Sequence, residues 1–276
     1  MDLINQYTEQ LINKDGIFFA KDQSEISYPK EGNENCYQIE QNSFWFNHRN
    51  NCIIEAVKKY SPNNIFFDIG GGNGFVSKGL ENAGITTVLV EPGIQGCINA
   101  KKRGLSNIIC STLEDASFKA NSINSVGLFD VVEHIEDDHK FLKSINKYLT
   151  TNGFVYITVP AYNLLWSDED TDAGHFRRYT LNSLESVLNK SGFTIKYSTY
   201  IFSILPFPIF IARTLPSRLK IKRNSNSMTK HTNEHKNSQG LMGSITNKLW
   251  NYELNTIRKG KQIPFGGSCF VVAMKN

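Results

Sequence analysis

Cysteines are few in this sequence, and their spacing is irregular. The five of them include no Cys-x-x-Cys pair: Cys36, Cys52, Cys97, Cys110 and Cys269. Zinc sites and disulfide frameworks use clustered or evenly numbered cysteines. The scattered, odd set therefore indicates reduced thiols and predicts a cytoplasmic protein. The chain also lacks an initial basic segment leading into an apolar core, which argues against a signal peptide.

Long apolar runs and a strong net charge are also missing. No run reaches the length that a transmembrane helix needs. The formal net charge is +4 over 276 residues, and so mild a balance does not suggest a nucleic-acid partner. A hydrophobic content of 40% with 20% charged residues is typical of a globular protein. The length allows one α/β domain with additions, or two small domains.

The most informative stretch lies at 65–74. It begins as the apolar run 65–69, interrupted only by Asp68, and four of the next five residues are glycines. A short apolar run without alternation predicts a strand buried on both faces. The glycines allow the following backbone to turn tightly and to approach a ligand. With a helix predicted at 75–83, this is the first unit of a nucleotide-binding α/β sheet.

The spacing of the glycines narrows the class of nucleotide. A dinucleotide fingerprint read from Gly70 and Gly72 needs a third glycine where Phe75 stands. A phosphate-binding P-loop needs Gly-Lys-Ser/Thr, which does not follow. The pattern Asp68-x-Gly70-x-Gly72-x-Gly74 instead resembles motif I of class I S-adenosylmethionine (SAM)-dependent methyltransferases. An ordinary tight turn between strand and helix is the alternative.

Six more apolar runs predict the rest of the sheet, at 86–90, 106–110, 125–129, 154–159, 193–200 and 268–274. We expect an α/β, Rossmann-like fold with a seven-stranded, mostly parallel sheet, an antiparallel last strand and helices on both faces. We divide the chain into an N-terminal cap (1–64), a SAM-binding core (65–200), an insertion (201–263) and the last strand (264–276). Residues 224–239 of the insertion are predicted to form a loop.

Polar residues at the ends of the predicted strands mark the expected binding site. Glu91 closes the second strand, where a carboxylate can accept both ribose hydroxyls of a nucleoside. Ligands of an open parallel sheet lie outside the carboxyl ends of its strands. Phe129, Asp130, Glu133 and His134 follow or end the fourth strand, and they should therefore edge the site.

Several longer motifs extend the resemblance over residues 43–200 and the C-terminal end. They are 128–135 (LFDVVEHI), 159–162 (VPAY), 165–167 (LWS), 174–180 (GHFRRYT) and 264–268 (PFGGS). These motifs are similar to those of a subgroup of bacterial methyltransferase-domain proteins. The resemblance implies SAM as cofactor, methyl transfer, and an adenine-binding loop with Glu114 or Asp115 as its acid and backbone groups near Leu113. The chain departs from the subgroup at Gly71, where many relatives have Cys or Ala, and at Asn124, where an acid is usual.

The chemistry of methyl transfer makes few demands on the protein. The sulfonium methyl is already activated, so positioning and exclusion of water matter most. A base helps when the acceptor is a hydroxyl, and His134 and His175 are the candidates for it. Hydrogen bonding of His134 to a backbone carbonyl, which would order its loop, is the alternative for that residue.

Basic and aromatic residues beside His175 are candidates for binding the acceptor. Arg177 and Arg178, next to Tyr179, can hold a phosphate or carboxylate. They can equally hold the fold together through Asp168 or Asp172.

A divalent cation is a further alternative at this edge of the sheet. Asp130, Glu133, His134 and His175 offer carboxylate and imidazole groups. The sequence leaves the question open, and we assign no metal ligand from it.

Two aromatic or apolar segments flank the core. Trp45, Phe46 and Arg49 either pack a helix on the sheet or form a lid over the cofactor. The segment 201–223 is strongly apolar and then basic, with two prolines. It either contacts an anionic membrane surface peripherally or packs as a hydrophobic lid over the acceptor.

These observations predict a SAM-dependent methyltransferase that acts on a small or lipid- or sugar-linked acceptor, with oxygen as the favoured methylated atom. A nicotinamide-dependent oxidoreductase is an alternative that Phe75 disfavours. A SAM-binding protein without catalysis is another alternative. The identity of the acceptor and the oligomeric state are not readable from the sequence.

Overall fold

The computed structural model describes residues 3–21, 37–61, 63–220 and 241–276; within 241–245 only the backbone is described. In this part of the chain a single sheet of nine strands runs in the order β1-β2-β5-β4-β3-β6-β7-β9-β8. The strands are β1 (Leu11–Lys14), β2 (Ile17–Ala20), β3 (Phe66–Ile69), β4 (Thr87–Glu91), β5 (Ile108–Cys110), β6 (Ile123–Phe129), β7 (Leu149–Pro160), β8 (Phe193–Ile201) and β9 (Ser268–Lys275).

Helices cover the sheet and connect its strands. They are α1 (Phe44–Tyr60), α2 (Phe75–Asn82), α3 (Ile94–Lys102), α4 (Asp138–Tyr148), α5 (Asp168–Asp172), α6 (Leu181–Lys190), α7 (Pro206–Ile209), α8 (Leu215–Arg218) and α9 (Leu241–Arg258). A π-helical segment, Phe210–Thr214, joins α7 to α8. Short 3-10 turns occur at Leu3–Gln6, Val132–His134 and Asn163–Leu165.

The seven predicted strands are all present, and the expected fold class is confirmed. β3 to β7 are parallel to one another, and β9 lies antiparallel between β7 and β8. Every residue of β3 and β4 is buried, because helices cover both faces of a parallel sheet. Within β3, Phe67 belongs to the core on one face and Phe66 to the core on the other.

Two strands extend the sheet beyond the predicted seven. β1 and β2 form an antiparallel hairpin, and β2 pairs in parallel with β5 through Phe18–Ile109 and Phe19–Cys110. The apolar piece at 17–19 therefore supplies an edge strand of the main sheet. The sequence analysis assigned residues 1–64 to an N-terminal cap, and it did not predict that a strand from this region joins the main sheet.

Side-chain caps set the starts of three helices. The Ser43 hydroxyl accepts the Phe46 N–H at 3.3 Å before α1. The Asp137 carboxylate accepts the Lys140 N–H at 2.9 Å before α4. Thr180 caps α6 within a capping box. Such caps satisfy backbone N–H groups that have no partner inside the helix.

The long connection between β8 and β9 packs against α1. Within it, α9 lies along α1, with stacked rings of Phe44 and Trp250 at 6.0 Å and a His48–Glu253 contact at 2.8 Å. No helix among the described residues is long and apolar enough to cross a membrane. The predicted loop 224–239, with His231 and His235, lies outside the described residues, as do 221–223 of the apolar-basic segment.

Candidate active site at the carboxyl edge of the sheet

The glycine loop after β3 adopts a backbone that favours glycine. Gly70, Gly72 and Gly74 have φ values of +68°, +54° and +71°, a region that costs energy for residues with a Cβ. Gly74 is also the residue from which α2 starts. The loop therefore turns tightly out of β3 and presents backbone rather than side chains at the sheet edge.

Asp68 lies beneath this loop. Its carboxylate is fully buried, and it accepts the Ser77 hydroxyl at 2.8 Å through Oδ2. Its Oδ1 has no hydrogen-bond partner among the described residues. Burial raises its pKa to about 6, although Ser77 and the charge of Arg49 act in the opposite direction. At neutral pH a negative charge therefore sits directly under the loop.

A side chain at position 71 has no room. A Cβ on Gly71 would lie 2.4 Å from Cδ1 of Leu89 and 2.6 Å from the Asp68 carboxyl group. The glycine at position 71, where many relatives have Cys or Ala, is thus required by the packing of this chain.

Glu91 ends β4 and faces the same loop. One carboxylate oxygen accepts the Gly72 N–H at 2.9 Å, and the other accepts the Gly93 N–H at 2.8 Å. Burial raises its pKa to about 7, against the lowering effect of these two hydrogen bonds. A carboxylate has about four acceptor positions, so the two oxygens retain capacity for the hydroxyls of a nucleoside.

The other predicted cofactor residues differ in exposure. Leu113 is buried in the core, whereas Glu114 is exposed. Phe129 is 7% exposed, and its ring stacks on that of Phe66 at 6.1 Å. The Phe129 side chain thus belongs to the core, and only its backbone is placed at the end of β6 to face a ligand.

Asp130 follows β6 with a φ of +57° and points toward α1. Its carboxylate pairs with the guanidinium of Arg49 and accepts the Thr158 hydroxyl at 3.2 Å. The Arg49 guanidinium in turn lies over the Trp45 ring at 4.4 Å and the Phe46 ring at 5.4 Å. The aromatic residues of α1 therefore hold a cation at the edge of the predicted site.

Glu133, His134 and His175 come together beside Asp130. Each offers one ligand atom, and these three atoms lie within 4.8 Å of one another. The two imidazole rings meet edge to face, with centroids 4.7 Å apart. Burial, and secondarily the charge of His175, lowers the pKa of His134 to about 4. Burial raises the pKa of Glu133 to about 8.

Asp170, which is not among the residues predicted from the sequence, organises the loop that carries His175. Its carboxylate accepts hydrogen bonds from Nδ1 of His175 at 2.9 Å and from two nitrogens of Arg178 at 2.8 and 3.0 Å. Burial alone raises the pKa of Asp170, but hydrogen bonds from His175 and Arg178 outweigh it and hold the pKa well below its usual range. The sequence suggested Asp168 or Asp172 as the acid that binds Arg178, and this was wrong, because Arg178 binds Asp170.

Arg177 and Tyr179 share a different acid. Arg177 pairs with Asp138 at 2.8 Å, and the Tyr179 hydroxyl donates to the same carboxylate at 2.7 Å. These contacts support the interpretation in which both arginines stabilise the loop. Binding of an anionic acceptor by Arg177, Arg178 and Tyr179 stays a prediction.

A comparison with protein families identifies this arrangement. The model of the family described as methyltransferase domain matches residues 45–198. The chain belongs to this family. The methyltransferase family resemblance that the glycine loop and the longer motifs indicate is thereby confirmed, and the cofactor of such enzymes is SAM.

Solved structures share the fold of this methyltransferase domain. Phosphoethanolamine N-methyltransferase 2 of Haemonchus contortus, in complex with phosphomonomethylethanolamine and S-adenosylhomocysteine, is 20% identical with a TM-score of 0.55. The alignment covers 89% of this chain and 57% of that one, so the chain spans little more than half of that enzyme.

Two other structures illustrate the range of methyltransferases with this fold. A Thermotoga maritima SAM-dependent methyltransferase, a possible histamine N-methyltransferase, is 16% identical with a TM-score of 0.54, covering 88% of this chain and 94% of that one. A geranyl diphosphate methyltransferase in complex with GPP and sinefungin is 10% identical with a TM-score of 0.52, covering 83% and 77%. No curated protein matches the methyltransferase chain.

Proposed function

We propose that this chain transfers the methyl group of SAM to an oxygen atom of a small or lipid-linked acceptor. The observation that carries the proposal is that two sets of candidate site residues lie next to each other, at the carboxyl ends of adjacent strands. The glycine loop and Glu91 follow β3 and β4, and Glu133 and His134 follow β6, which pairs with β3. A nucleoside on the first group has its reactive end directed toward the second.

The cofactor residues have separate roles in this proposal. Glu91 accepts the ribose hydroxyls, and the backbone at Gly70, Gly72 and Gly74 lies along the amino-acid part of SAM. The buried charge of Asp68 stabilises the cationic groups of SAM through the loop. Leu113 and Glu114 lie on the adenine side, while the backbone of Phe129 and the Asp130 carboxylate lie on the sulfonium side.

The reaction is an in-line displacement at the methyl carbon. The acceptor oxygen releases its proton to solvent and forms the new C–O bond, while the C–S bond breaks and its electron pair stays on sulfur. S-adenosylhomocysteine (SAH) leaves without charge on sulfur. His134 and His175 act on the acceptor oxygen, and the lowered pKa of His134 keeps its imidazole neutral at pH 7.

An exposed apolar stripe supports an acceptor with a lipid part. Phe207, Ile211, Leu215 and Leu219 recur at intervals of four from α7, through the π-helical segment, to the residue after α8, with exposed fractions from 40% to 73%. Contiguous exposed apolar surface commonly marks a binding site. We call these four residues the apolar stripe.

The apolar stripe is joined to the loop beside the candidate site. The Thr214 hydroxyl donates to the Leu165 carbonyl at 3.0 Å, and Arg213 pairs with Glu169 at 2.7 Å. Arg218 and Lys220 lie at its C-terminal end. Apolar surface next to basic residues suits an anionic membrane, from which a lipid-linked acceptor can reach the site.

Methyl transfer is tested with methyl-tritiated SAM. The purified chain is incubated with the organic-phase and the aqueous-phase fractions of a cell extract, and Glu91→Ala is the control variant. We expect label in an organic-phase product that Glu91→Ala does not form. Label in aqueous products alone would contradict the lipid-linked acceptor, whereas saturable SAH binding without any transfer would favour the non-catalytic SAM-binding alternative.

Membrane contact is tested by sedimentation with phosphatidylglycerol vesicles and with phosphatidylcholine vesicles. The protein should pellet with the anionic vesicles, and Phe207→Ser with Ile211→Ser should reduce the bound fraction several-fold. Tyr252→Ser is the matched control, because Tyr252 is 66% exposed but lies on α9 outside the apolar stripe. Equal loss in the control and the stripe variant would count against docking through this surface.

A further inference from the structure

Glu133 is buried in a way that ordinary packing does not explain. Its side chain is fully buried, and neither carboxylate oxygen has a hydrogen-bond partner among the residues that the structure describes. Buried carboxyl groups without partners are costly, so they are rare unless something else compensates them. The carboxylate faces the imidazoles of His134 and His175, with the three ligand atoms within 4.8 Å of one another.

The backbone fixes the two segments that carry these residues. Glu133 and His134 lie in the 3-10 turn that follows β6. His175 lies beyond α5, in the loop that returns toward α6. The Phe176 N–H donates to the carbonyl of Glu133 at 2.8 Å, so the backbone beside His175 is bonded directly to the backbone that carries Glu133 and His134. A main-chain hydrogen bond therefore fixes the relative position of the two segments that carry Glu133, His134 and His175.

His175 has the surroundings of a metal ligand. Its Nδ1 is bound to the Asp170 carboxylate at 2.9 Å, which leaves Nε2 as the nitrogen for a metal. Asp170 is itself held by Arg178 and by the Ser167 N–H at 2.9 Å. A carboxylate that accepts the second nitrogen of a histidine fixes its tautomer and orientation, as around metal-bound histidines in general.

The surroundings of His134 are comparable. The carbonyl groups of Ala173 and Gly174 accept hydrogen bonding from its ring. Asp130, by contrast, is engaged by Arg49 and Thr158, so it is not part of the ligand set. The group is thus two imidazoles and one carboxylate, and each imidazole ring has a hydrogen-bond partner outside the group.

We propose that Glu133, His134 and His175 bind a divalent first-row transition-metal ion, Zn²⁺ being the reference case, with open positions for the acceptor oxygen. Two imidazoles and one carboxylate suit such ions, whereas Mg²⁺ and Ca²⁺ prefer oxygen ligands alone. The ion compensates the buried carboxylate.

This inference rests on the proposed function for its chemistry, because it states how His134 and His175 act on the acceptor. The hydroxyl oxygen of the acceptor binds the ion, which lowers the pKa of the hydroxyl, and the proton is released to solvent. The oxygen then attacks the methyl carbon, and sulfur keeps the electron pair of the broken C–S bond. The imidazoles remain neutral ligands throughout.

The test measures metal binding directly, without turnover. The full chain is stripped with a chelator, dialysed and titrated with Co²⁺, whose visible absorption reports its ligand geometry, and with Zn²⁺ by calorimetry. We expect one site per chain, and at least tenfold weaker binding for each of Glu133→Gln, His134→Gln and His175→Gln. Mg²⁺ should not compete at equal concentration.

Matched controls locate the site. His139→Gln changes a histidine of α4 that bonds to Ser191 at 2.9 Å, and His231→Gln with His235→Gln removes two other potential ligands. Both variants should retain the Co²⁺ spectrum. Binding of SAH, measured in every variant, shows that the fold is intact.

The possible outcomes separate this inference from the proposed function. Wild-type protein that binds SAH but binds Co²⁺ and Zn²⁺ no more tightly than the triple variant E133Q/H134Q/H175Q would overturn the metal site and leave methyl transfer standing. Metal binding that is lost in the control variants would also overturn it. Absence of SAH binding, with the metal site present, would instead contradict the proposed function.

Discussion

Arg49 of α1 and Asp130 at the end of β6 form an ion pair 81 residues apart in the sequence, with side-chain exposures of 9% and 21%. Burial raises the pKa values of Asp68, Glu133 and Glu40, and the charge of the same guanidinium partly offsets this rise. One cation from the N-terminal helix thus stabilises a group of buried acids around the glycine loop.

Replacing this cation should destabilise the fold. In Arg49→Met the Asp130 charge loses its partner, and loss of one member of a buried pair costs about 3 kcal/mol. The free energy of unfolding from denaturant titration measures the effect, and Arg49→Met with Asp130→Asn should recover part of it. Arg258→Met is the control, because its pair with Glu55 lies at the surface and contributes little. Equal losses in both variants would contradict the argument.

Cofactor affinity should depend on pH through Glu91. Burial raises its pKa to about 7, and the ionised carboxylate is the better acceptor for two hydroxyls. The affinity for SAH should therefore rise about tenfold from pH 6 to pH 8. Glu91→Gln should bind more weakly with a flatter profile in calorimetric titration, and a wild-type profile as flat as that of Glu91→Gln would reject the role.

The stability of the unliganded protein should change with pH in the opposite sense. Because the folded pKa of Glu91 lies above its usual value of 4.5, the folded state holds a proton that the unfolded state has released. This contribution is present below about pH 4.5 and is lost as the pH rises through 7. Comparing the pH dependence of unfolding in wild type and Glu91→Gln isolates it, with SAH omitted.

Gly71→Ala should impair both folding and cofactor binding. Its Cβ would lie 2.4 Å from Leu89 and 2.6 Å from the Asp68 carboxyl group, so the loop must move. We expect SAH affinity to fall at least tenfold. Gly84→Ala is the matched control: its φ is +87° but no described atom lies within 4 Å of the added Cβ. It should cost about 1 kcal/mol of stability and leave SAH affinity unchanged.

Glu253→Gln should detach the insertion from α1. The Glu253 carboxylate accepts His48 Nε2 at 2.8 Å and the backbone N–H groups of Phe202 and Ser203 at 2.9 and 2.7 Å. Burial raises its pKa, but the hydrogen bonds from His48 and Ser203 outweigh burial and lower it. Its contribution is therefore present above the unfolded pKa and lost as the pH falls through the folded pKa.

The measurement for this variant is unfolding at two pH values. The difference between wild type and Glu253→Gln should be about 3 kcal/mol at pH 7 and should shrink as the solution is acidified below pH 4. Glu55→Gln, which removes a surface partner of Arg258, should show a much smaller difference. A difference that stays constant on acidification would exclude the ionised carboxylate as its source.

The sequence predicted the central strands because they are buried on both faces. Runs such as 65–69 and 268–274 are nearly continuous in apolar residues, and burial of that kind leaves a direct trace in composition. Glycines with positive φ, at 70, 72 and 74, left an equally direct trace. These local signals sufficed for the order of elements and for the family.

The edge hairpin left a weaker signal. Three of the four residues of β1 are exposed, so their composition resembles a loop. The pairing of β2 with β5 joins residues about 90 positions apart, and no local pattern specifies which edge a short strand will join.

The ion pairs around the candidate site could not be predicted for a related reason. Arg177 and Arg178 are adjacent, yet they bind different acids, Asp138 and Asp170. Asp168, Asp170 and Asp172 are the same residue type in one short segment, so the sequence does not distinguish them. Asp170 alone of the three is buried, because the turn of α5 and the capping box with Ser167 direct it inward. The choice among them is made by three-dimensional packing.

His48 and Arg49 are neighbours on one turn of α1. The first holds Glu253 of the insertion, and the second holds Asp130 beside the candidate site. One helical turn of α1 therefore connects the insertion to Asp130. Linkage makes such a connection symmetric: the factor by which anionic vesicles change the affinity for SAH must equal the factor by which SAH changes the affinity for vesicles. The surface that we propose for the acceptor and the edge that we propose for the cofactor would then affect each other's binding equally.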